Sequence, residues 1–201
     1  PDAASGEAKA LVEKWRLPGK YILYVGSVER KKNIDRLLDA AALLSQRKSW
    51  KKRKLVIAGG KGGQAYDLAA AMESRNLGQQ VMALGHVPDE DVAPLMRAAE
   101  AVVYPSLYEG FGLPPLEAMA CGTPVIISDA TSLPEVAGDA AMVFPANSAE
   151  ALAEAMEELL HDAKLRERHI EKGFLRAKDF TWDKTAERTL AVYRQALENA
   201  A

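Results

Sequence analysis

Short, continuous runs of apolar residues recur along the chain and alternate with segments that carry a helical pattern. The runs occupy residues 21–25, 55–58, 81–84, 101–104 and 125–127, with a weaker sixth at 141–144. Strands that are apolar on both faces are typical of a parallel sheet covered by helices on both sides. Helical patterns lie between them at residues 33–46, 64–76, 89–99 and 114–121, and Asn33 is suited to cap the first helix. This order predicts an α/β fold with a doubly wound parallel sheet of about six strands.

Three further helical segments follow the last strand, at residues 148–160, 162–178 and 182–199. Apolar residues of the first of these helices recur at helical spacing, which predicts that it packs against the sheet. The 201 residues suffice for one domain with a substantial core. We therefore expect a single domain over residues 1–201, a Rossmann-like sheet with helices on both faces and a C-terminal helical tail.

Charge and composition argue against several classes of protein. The net charge of −2 does not favour general affinity for nucleic acid. Cys121 is the only cysteine and cannot form an internal disulfide, so a reducing cytoplasm is the simplest compartment. No apolar run approaches the ~20 residues of a membrane span, and no signal-peptide pattern is visible. The chain opens abruptly at Pro1, and we expect it to be a piece of a longer protein.

The segment from Glu109 to Glu117 carries the strongest chemical signal. Pro114 and Pro115 suit the start of a short helix, because its first turn has no internal partner for the N–H groups that proline lacks. Backbone N–H groups just before them stay free at the positive end of the helix, where an anion is favoured. Carboxylates accept hydrogen bonds from paired hydroxyls. The segment therefore fits a sugar joined to a phosphate, with the free N–H groups near Phe111, Gly112 and Leu113.

Five of the predicted strands are each followed directly by a segment rich in glycine or polar residues. In an open parallel sheet, ligands bind beyond the carboxyl ends of the strands. All five segments are therefore expected to lie at one edge of the sheet and to surround one cleft. They are residues 26–32, 59–63, 85–86, 105–112 and 128–131.

The Glu109-to-Glu117 segment resembles the paired-glutamate signature of retaining glycosyltransferases of family 4, which have the two-domain GT-B architecture. The similarity continues through residues 104–108 and 118–125 and includes residues 24–27, 32–34 and 132–136. The resemblance implies that this chain is the C-terminal, donor-binding domain, and that the acceptor site belongs mainly to an N-terminal domain that is absent. It further implies transfer with retention of configuration, no metal or other cofactor, and a final helix that crosses to the partner domain.

The same resemblance implies roles for individual residues. Lys32 would stabilise the departing diphosphate, Glu109 would orient the donor sugar, and Glu117 would bind the ribose hydroxyls. Backbone atoms of residues 85–87 would face the base, and His86 itself is expected at the rim. The full expected donor-binding set is Gly26, Ser27, Arg30, Lys32, Gly59, Gly60, His86, Val87, Glu109, Gly110, Phe111, Gly112, Leu113 and Glu117, with Lys32 and Glu109 as the catalytic pair.

Several alternatives stay open at this point. A non-catalytic nucleotide-sugar sensor or regulatory module fits the same residues, and so does a sugar-nucleotide epimerase of GT-B architecture. The glycines at 59–63 suit either close approach to a ligand or a flexible turn. The resemblance favours GDP-mannose, with UDP and ADP sugars open. The basic run at 46–54 suits a solvated loop or, through Trp50, a peripheral contact with an anionic membrane surface. The isolated chain is expected to bind nucleotide weakly and to transfer little or nothing.

Overall fold

Six parallel strands form the centre of the computed structural model, which describes residues 6–63 and 66–199. They lie side by side in the order β3-β2-β1-β4-β5-β6, and every pairing between neighbours is parallel. The predicted α/β fold with a doubly wound sheet is confirmed. The strands are β1 at Tyr21–Val25, β2 at Lys54–Ala58, β3 at Val81–Gly85, β4 at Ala101–Tyr104, β5 at Val125–Ser128 and β6 at Ala141–Phe144.

Helices connect the strands and form the C-terminal tail. In the described ranges they are α1 at Gly6–Trp15, α2 at Ile34–Ser45, α3 at Leu68–Glu73, α4 at Asp89–Ala98, α5 at Leu113–Ala120, α6 at Leu133–Ala137, α7 at Ala149–His161, α8 at Ala163–Ala177 and α9 at Trp182–Asn199. The helix predicted at 64–76 is wrong in its bounds. The side chain of Asp67 accepts a hydrogen bond from the Ala70 N–H and so caps α3 at this point. Residues 64 and 65 of that prediction lie outside the described residues.

Alternating strand residues fill two apolar layers, one on each face of the sheet. Ile22 and Tyr24 of β1 pack into the layer beneath α2 and α7, whereas Tyr21 and Leu23 pack into the layer beneath α4 and α5. Burial of each large apolar side chain contributes about 1.5–3 kcal/mol. Both faces of the sheet thus pack against the core. A binding site is therefore expected in the loops at the ends of the strands.

The direction in which successive strands are added to the sheet reverses between β1 and β4. Strands β2 and β3 lie on one side of this pair and β5 and β6 on the other, which is the order of a Rossmann-like fold. Ile22 pairs with Ala101 and Leu23 with Val102, so the carboxyl ends of the two strands are neighbours. A crevice opens at such a switch point. The loops that follow β1 and β4 carry Lys32 and Glu109, and they meet at this crevice.

The C-terminal helices differ sharply in their burial. Helix α7 buries its apolar stripe, including Leu152, Met156 and Leu159, against the sheet and α2, as predicted. Helix α8 packs on α5, where Gly173 closely approaches Met119. Helix α9 has no buried residue. Its apolar side chains are therefore not used by the core of the described chain.

The structure places Trp50, the aromatic residue of the basic run, in the core rather than at the surface. Trp50 ends a short 3₁₀ turn at Lys48–Trp50 and is 2% exposed, with its ring in the apolar layer beneath α2. The hypothesis that Trp50 touches a membrane surface is therefore wrong, because a ring in the core cannot reach lipid. Arg53 is also engaged, through two hydrogen bonds to the Glu100 carboxylate. Among the described helices, none is both long and apolar enough to span a bilayer.

Candidate donor-binding site

A lysine and a glutamate form an ion pair at the switch point of the sheet. The ammonium of Lys32 donates to Oε1 of Glu109 over 2.7 Å, and the side chains are 17% and 18% exposed. The hydroxyl of Ser106, which is fully buried, donates to the same oxygen over 2.7 Å. The two residues proposed as the catalytic pair are therefore in direct contact at the crevice.

Asn33 connects the loops that carry this pair. Its amide nitrogen donates to the carbonyl of Pro105 over 3.0 Å and to that of Ala146 over 2.8 Å. The prediction that its side chain caps α2 is wrong. Asn33 has a left-handed backbone (φ 57°) rather than the extended one of a typical N-cap, and no side-chain capping bond forms. A second bond, from the Leu107 N–H to the Lys31 carbonyl, joins the two loops directly.

The backbone of Glu109 is anchored on the loop after β5. The Thr131 hydroxyl accepts from the Glu109 N–H over 3.0 Å and lies 3.1 Å from the Glu109 carbonyl oxygen. The Ser132 hydroxyl donates to that same carbonyl over 3.0 Å. Three adjacent loops thus fix the position of one carboxylate. The sequence predicts residues 128–131 at the cleft, and the structure adds this anchoring function.

Helix α5 begins at the crevice, as its proline-rich start predicted. Gly112 precedes the helix with φ 110°, a conformation that favours glycine. A Cβ atom there would also lie 3.0 Å from Leu133 Cδ2. Within the described chain, no hydrogen bond uses the N–H groups of Phe111, Gly112 or Leu113. These donors stand at the positive end of the helix dipole and are available to an anion.

The loop after β1 contains an acid that sequence reasoning missed. Glu29 is 8% exposed, accepts from the Ser27 hydroxyl over 2.5 Å, and lies 3.5 Å from the Lys31 ammonium. The hydrogen bond from Ser27 lowers the pKa of Glu29 below its ordinary value, and Lys31 lowers it further. Arg30 is exposed in the same loop. Nothing in the local sequence pattern distinguished Glu29 from a surface residue.

Glycines bring the loops after β1 and β2 into close contact. A Cβ atom on Gly59 would lie 1.7 Å from the carbonyl oxygen of Gly26, whereas one on Gly60 would meet its nearest atom at 3.8 Å. The Val28 N–H donates to the Gly60 carbonyl over 2.9 Å. The small residue at position 59 is therefore required by the backbone of the neighbouring loop. A role for Gly26, Gly59 or Gly60 in binding a ligand stays a prediction.

Glu117 lies on the exposed face of α5 and lines a depression of about 500 Å³ together with residues of α4. The α4 residues are Asp89, Val92, Ala93 and Met96. His86 and Val87 come directly before this helix; His86 is exposed, whereas the Val87 side chain is buried. Within the described chain, Glu117 forms no ion pair with Lys32. His86 and Val87 do not line this depression, and the ribose and base functions of Glu117 and of residues 85–87 stay predictions.

Tyr104 connects the surroundings of the two glutamates. Its hydroxyl is buried at the end of β4 and has no hydrogen-bond partner among the described residues. Burial raises the pKa of Tyr104 well above 10, and the charges of Glu117 and Glu109 raise it further. Both carboxylates therefore act on the same hydroxyl group. Tyr104 could not be recognised as a candidate site residue from the apolar run at 101–104, because a tyrosine in a buried strand resembles an ordinary core residue.

Comparison with known proteins identifies the class to which this fold and site belong. Residues 8–176 match the family described as Glycosyl transferases group 1. The O-antigen chain mannosyltransferase B of Escherichia coli is 39% identical over 189 residues, or 94% of this chain and 49% of that protein. The fold is that of a GT-B glycosyltransferase domain. The chain belongs to the glycosyl transferases group 1 family.

Solved structures agree with this assignment. Sucrose-phosphate synthase from Thermosynechococcus elongatus superposes with a TM-score of 0.78 at 32% identity, over 96% of this chain and 49% of that one. The C-terminal domain of a glycosyl transferase group 1 family protein from Francisella tularensis gives 0.72 at 26% identity, over 87% and 92% of the two chains. The chain thus spans about half the length of the first curated relative and nearly the whole of a solved C-terminal domain.

Proposed function

We propose that this chain is the C-terminal domain of a retaining glycosyltransferase and binds a nucleotide-diphosphate sugar donor. The observation that carries the proposal is the meeting of Lys32, Glu109 and the start of α5 at the switch point. An ammonium and free N–H groups suit the oxygens of a diphosphate, and a carboxylate suits the hydroxyls of a sugar.

In this proposal the protein supplies charge rather than a nucleophile. Negative charge develops on the diphosphate as the bond to the sugar breaks, and donors already in place at that position lower the barrier. Lys32 and the N–H groups of residues 111–113 are the donors. Glu109, held by Lys32 and by the Ser106 hydroxyl, orients the donor sugar. The absence of a metal from this scheme remains a prediction.

We place the nucleoside in the depression between α4 and α5. Glu117 supplies a carboxylate for the ribose hydroxyls there, and the half-buried Val92 and Ala93 supply apolar surface beside it. A second cavity of about 720 Å³ lies between the loop after β2 and α3, but its lining includes no carboxylate from the signature segment. GDP-mannose is our choice of donor, supported by the named mannosyltransferase among the relatives and by the signature residues around Glu109.

Helix α9 supports the proposal that a second domain completes the enzyme. Leu190, Tyr193 and Leu197 recur at helical spacing and are 50%, 63% and 72% exposed. Water-exposed side chains of this size on one face indicate an interaction surface. We propose that this face packs on the N-terminal acceptor domain, which is consistent with the chain covering 49% of its relative.

Calorimetric titration with GDP, UDP and ADP tests the binding function. We expect binding in the micromolar-to-millimolar range, with GDP the tightest, and at least a tenfold loss in Glu117→Ala because a charged hydrogen bond contributes ~1.5–3 kcal/mol. Ala93→Trp should obstruct the depression beside α4 and abolish binding. Ala69→Trp, which fills the other cavity, is the matched control and should leave the Kd unchanged. The reverse outcome would place the nucleoside in the second cavity.

An assay of sugar transfer distinguishes the activity of this isolated domain from that of a two-domain enzyme. Alone, the chain should bind nucleotide but transfer little or no sugar, because the acceptor site is proposed to lie elsewhere. A fusion to the remaining half of the E. coli mannosyltransferase should gain transfer from GDP-mannose. Robust transfer by the isolated chain would contradict the proposal that the acceptor site lies in another domain.

A further inference from the structure

Phe111 lies in the middle of the loop that begins α5 and meets an aromatic ring from the C-terminal tail. The Phe111 side chain is 44% exposed. Its ring contacts that of Phe180 in an edge-to-face geometry, with centroids 5.8 Å apart and planes at 79°. Phe180 lies between α8 and α9, 69 positions further along the chain. A long-range aromatic contact therefore supports the loop that leads into α5.

Phe180 is itself held in place by Arg176 of α8. The guanidinium carbon of Arg176 lies 4.8 Å from the centroid of the Phe180 ring, in a cation–π contact. Its Nε donates to the Val136 carbonyl over 2.8 Å, and its Nη2 donates to the Glu135 carbonyl over 2.6 Å. Both carbonyls belong to α6. The Phe180 ring is thus clamped between the loop and a fixed cation.

Helix α6 and its preceding loop support the same segment from another side. Thr131 and Ser132 hold the backbone of Glu109, and Leu133 lies beside Gly112. Gly110 is exposed and Gly112 has a positive φ, so the backbone between these anchors has more freedom than other residues would allow. Phe111 is the side chain between these two glycines, and Phe180 is its aromatic partner.

We propose that Phe180 is a positioning residue for phosphate binding, which acts by holding Phe111 and so fixing the N–H groups at the start of α5. This inference rests on the proposed function of that helix start. Phe180 does not touch the donor in this scheme. It determines where the donors of residues 111–113 point, and Arg176 determines where Phe180 lies.

The test compares a nucleoside diphosphate with its parent nucleoside. An edge-to-face aromatic pair contributes about 0.5–1.5 kcal/mol, so Phe180→Leu should weaken GDP binding by roughly two- to twelvefold. Guanosine binding should not change, because the nucleoside does not use the start of α5. Phe180→Tyr keeps the ring and should restore the GDP affinity. Leu175→Ala, at a neighbouring residue of α8 that is 66% exposed, is the matched control.

Hydrogen exchange in the absence of nucleotide makes the inference testable on its own. Amides of residues 110–113 should exchange faster in Phe180→Leu than in wild type, while those of the central strands should not change. Equal exchange of that loop in both proteins would overturn the inference. Equal losses for GDP and guanosine would overturn it as well, since they would indicate general destabilisation. Failure of wild type to bind GDP, UDP or ADP, with the exchange difference intact, would instead overturn the proposed function.

Discussion

Removing the ammonium of Lys32 should have a large effect on diphosphate binding and a smaller one on stability. Lys32→Met keeps most of the side-chain length and deletes the charge. The lost interaction is a charged hydrogen bond, which contributes ~1.5–3 kcal/mol, or about a 10- to 150-fold increase in Kd. Among the described residues, the same change leaves the Glu109 carboxylate with one side-chain donor, the Ser106 hydroxyl.

The stability cost follows from the burial of the pair. Breaking a fully buried ion pair costs about 3–5 kcal/mol, but Lys32 and Glu109 keep 17% and 18% of their side-chain surface in water. We therefore expect about 1–2 kcal/mol of lost unfolding free energy, measured by urea denaturation. The variant should stay folded, so its loss of binding can be interpreted.

Lys31→Met is the matched control for this prediction. Lys31 is the adjacent residue, and its side chain is 56% exposed and 3.5 Å from Glu29. Its removal should change the unfolding free energy by no more than about 0.5 kcal/mol and should leave the Kd for GDP within about twofold. If calorimetry gave Lys31→Met and Lys32→Met the same Kd, the assignment of Lys32 to the diphosphate would be refuted.

Three further predictions address packing, acidity and the exposed helix. Gly59→Ala should prevent normal folding or lower the Tm by ~5 °C or more, because the new Cβ would lie 1.7 Å from a backbone oxygen; Gly60→Ala, with its nearest atom at 3.8 Å, should fold normally in the same thermal scan. The pKa of Glu29 is lowered in the folded state, so its contribution to stability is present above the ordinary value of 4.5 and is lost as the pH falls through the folded pKa. Urea midpoints between pH 3 and 6 should therefore fall more steeply on the acid side in wild type than in Glu29→Gln, and parallel curves would contradict this. Leu190→Lys with Leu197→Lys should leave the Tm of this chain within about 2 °C, since both side chains are exposed, yet should reduce transfer by the two-domain fusion; unchanged transfer would show that α9 does not dock.

The order of the elements was predictable because it depends on local patterns. Continuous apolar runs identified all six strands of the described chain, with errors of one residue at β2, β3 and β5, although β3 and β6 are only partly buried. The strand order was not predictable in the same way, because it depends on which helices cover which face. Helix α6 was missed because its five residues give too short a pattern. Helix α3 was predicted too long because the polar residues that precede it also suit a helix.

The site could be predicted as a set of segments but not as a set of contacts. The rule for parallel sheets brought the loops of Lys32 and Glu109 to one edge, and the structure places these side chains 2.7 Å apart. Glu29, Tyr104 and Phe180 were missed, since each depends on a partner far away in sequence or on burial that local pattern does not reveal. The capping function predicted for Asn33 was wrong for a similar reason. Its residue type indicated a helix cap, whereas tertiary contacts use its amide to join two loops.

The Lys32–Glu109 pair poses a physical problem that leads to a final prediction. An ammonium has three N–H donors, and in the part of the chain that the structure describes Lys32 uses one of them, toward one oxygen of Glu109. Two donors thus stay available there for phosphate oxygens without breaking the pair. The carboxylate nevertheless repels a diphosphate. Glu109→Gln keeps a carbonyl acceptor for Lys32 and removes that repulsion, which is on the order of 1 kcal/mol near a partly exposed site.

We therefore expect Glu109→Gln to bind GDP about fivefold more tightly than wild type, the opposite of the effect of Lys32→Met. GDP-mannose should not share this gain, because the variant loses the carboxylate that binds the sugar hydroxyls. Calorimetry with GDP and GDP-mannose, at two salt concentrations, measures both effects and shows whether the gain is electrostatic. A weaker affinity of Glu109→Gln for GDP would mean that Glu109 serves mainly to hold Lys32 in place. A parallel gain for both ligands would mean that the carboxylate does not contact the sugar.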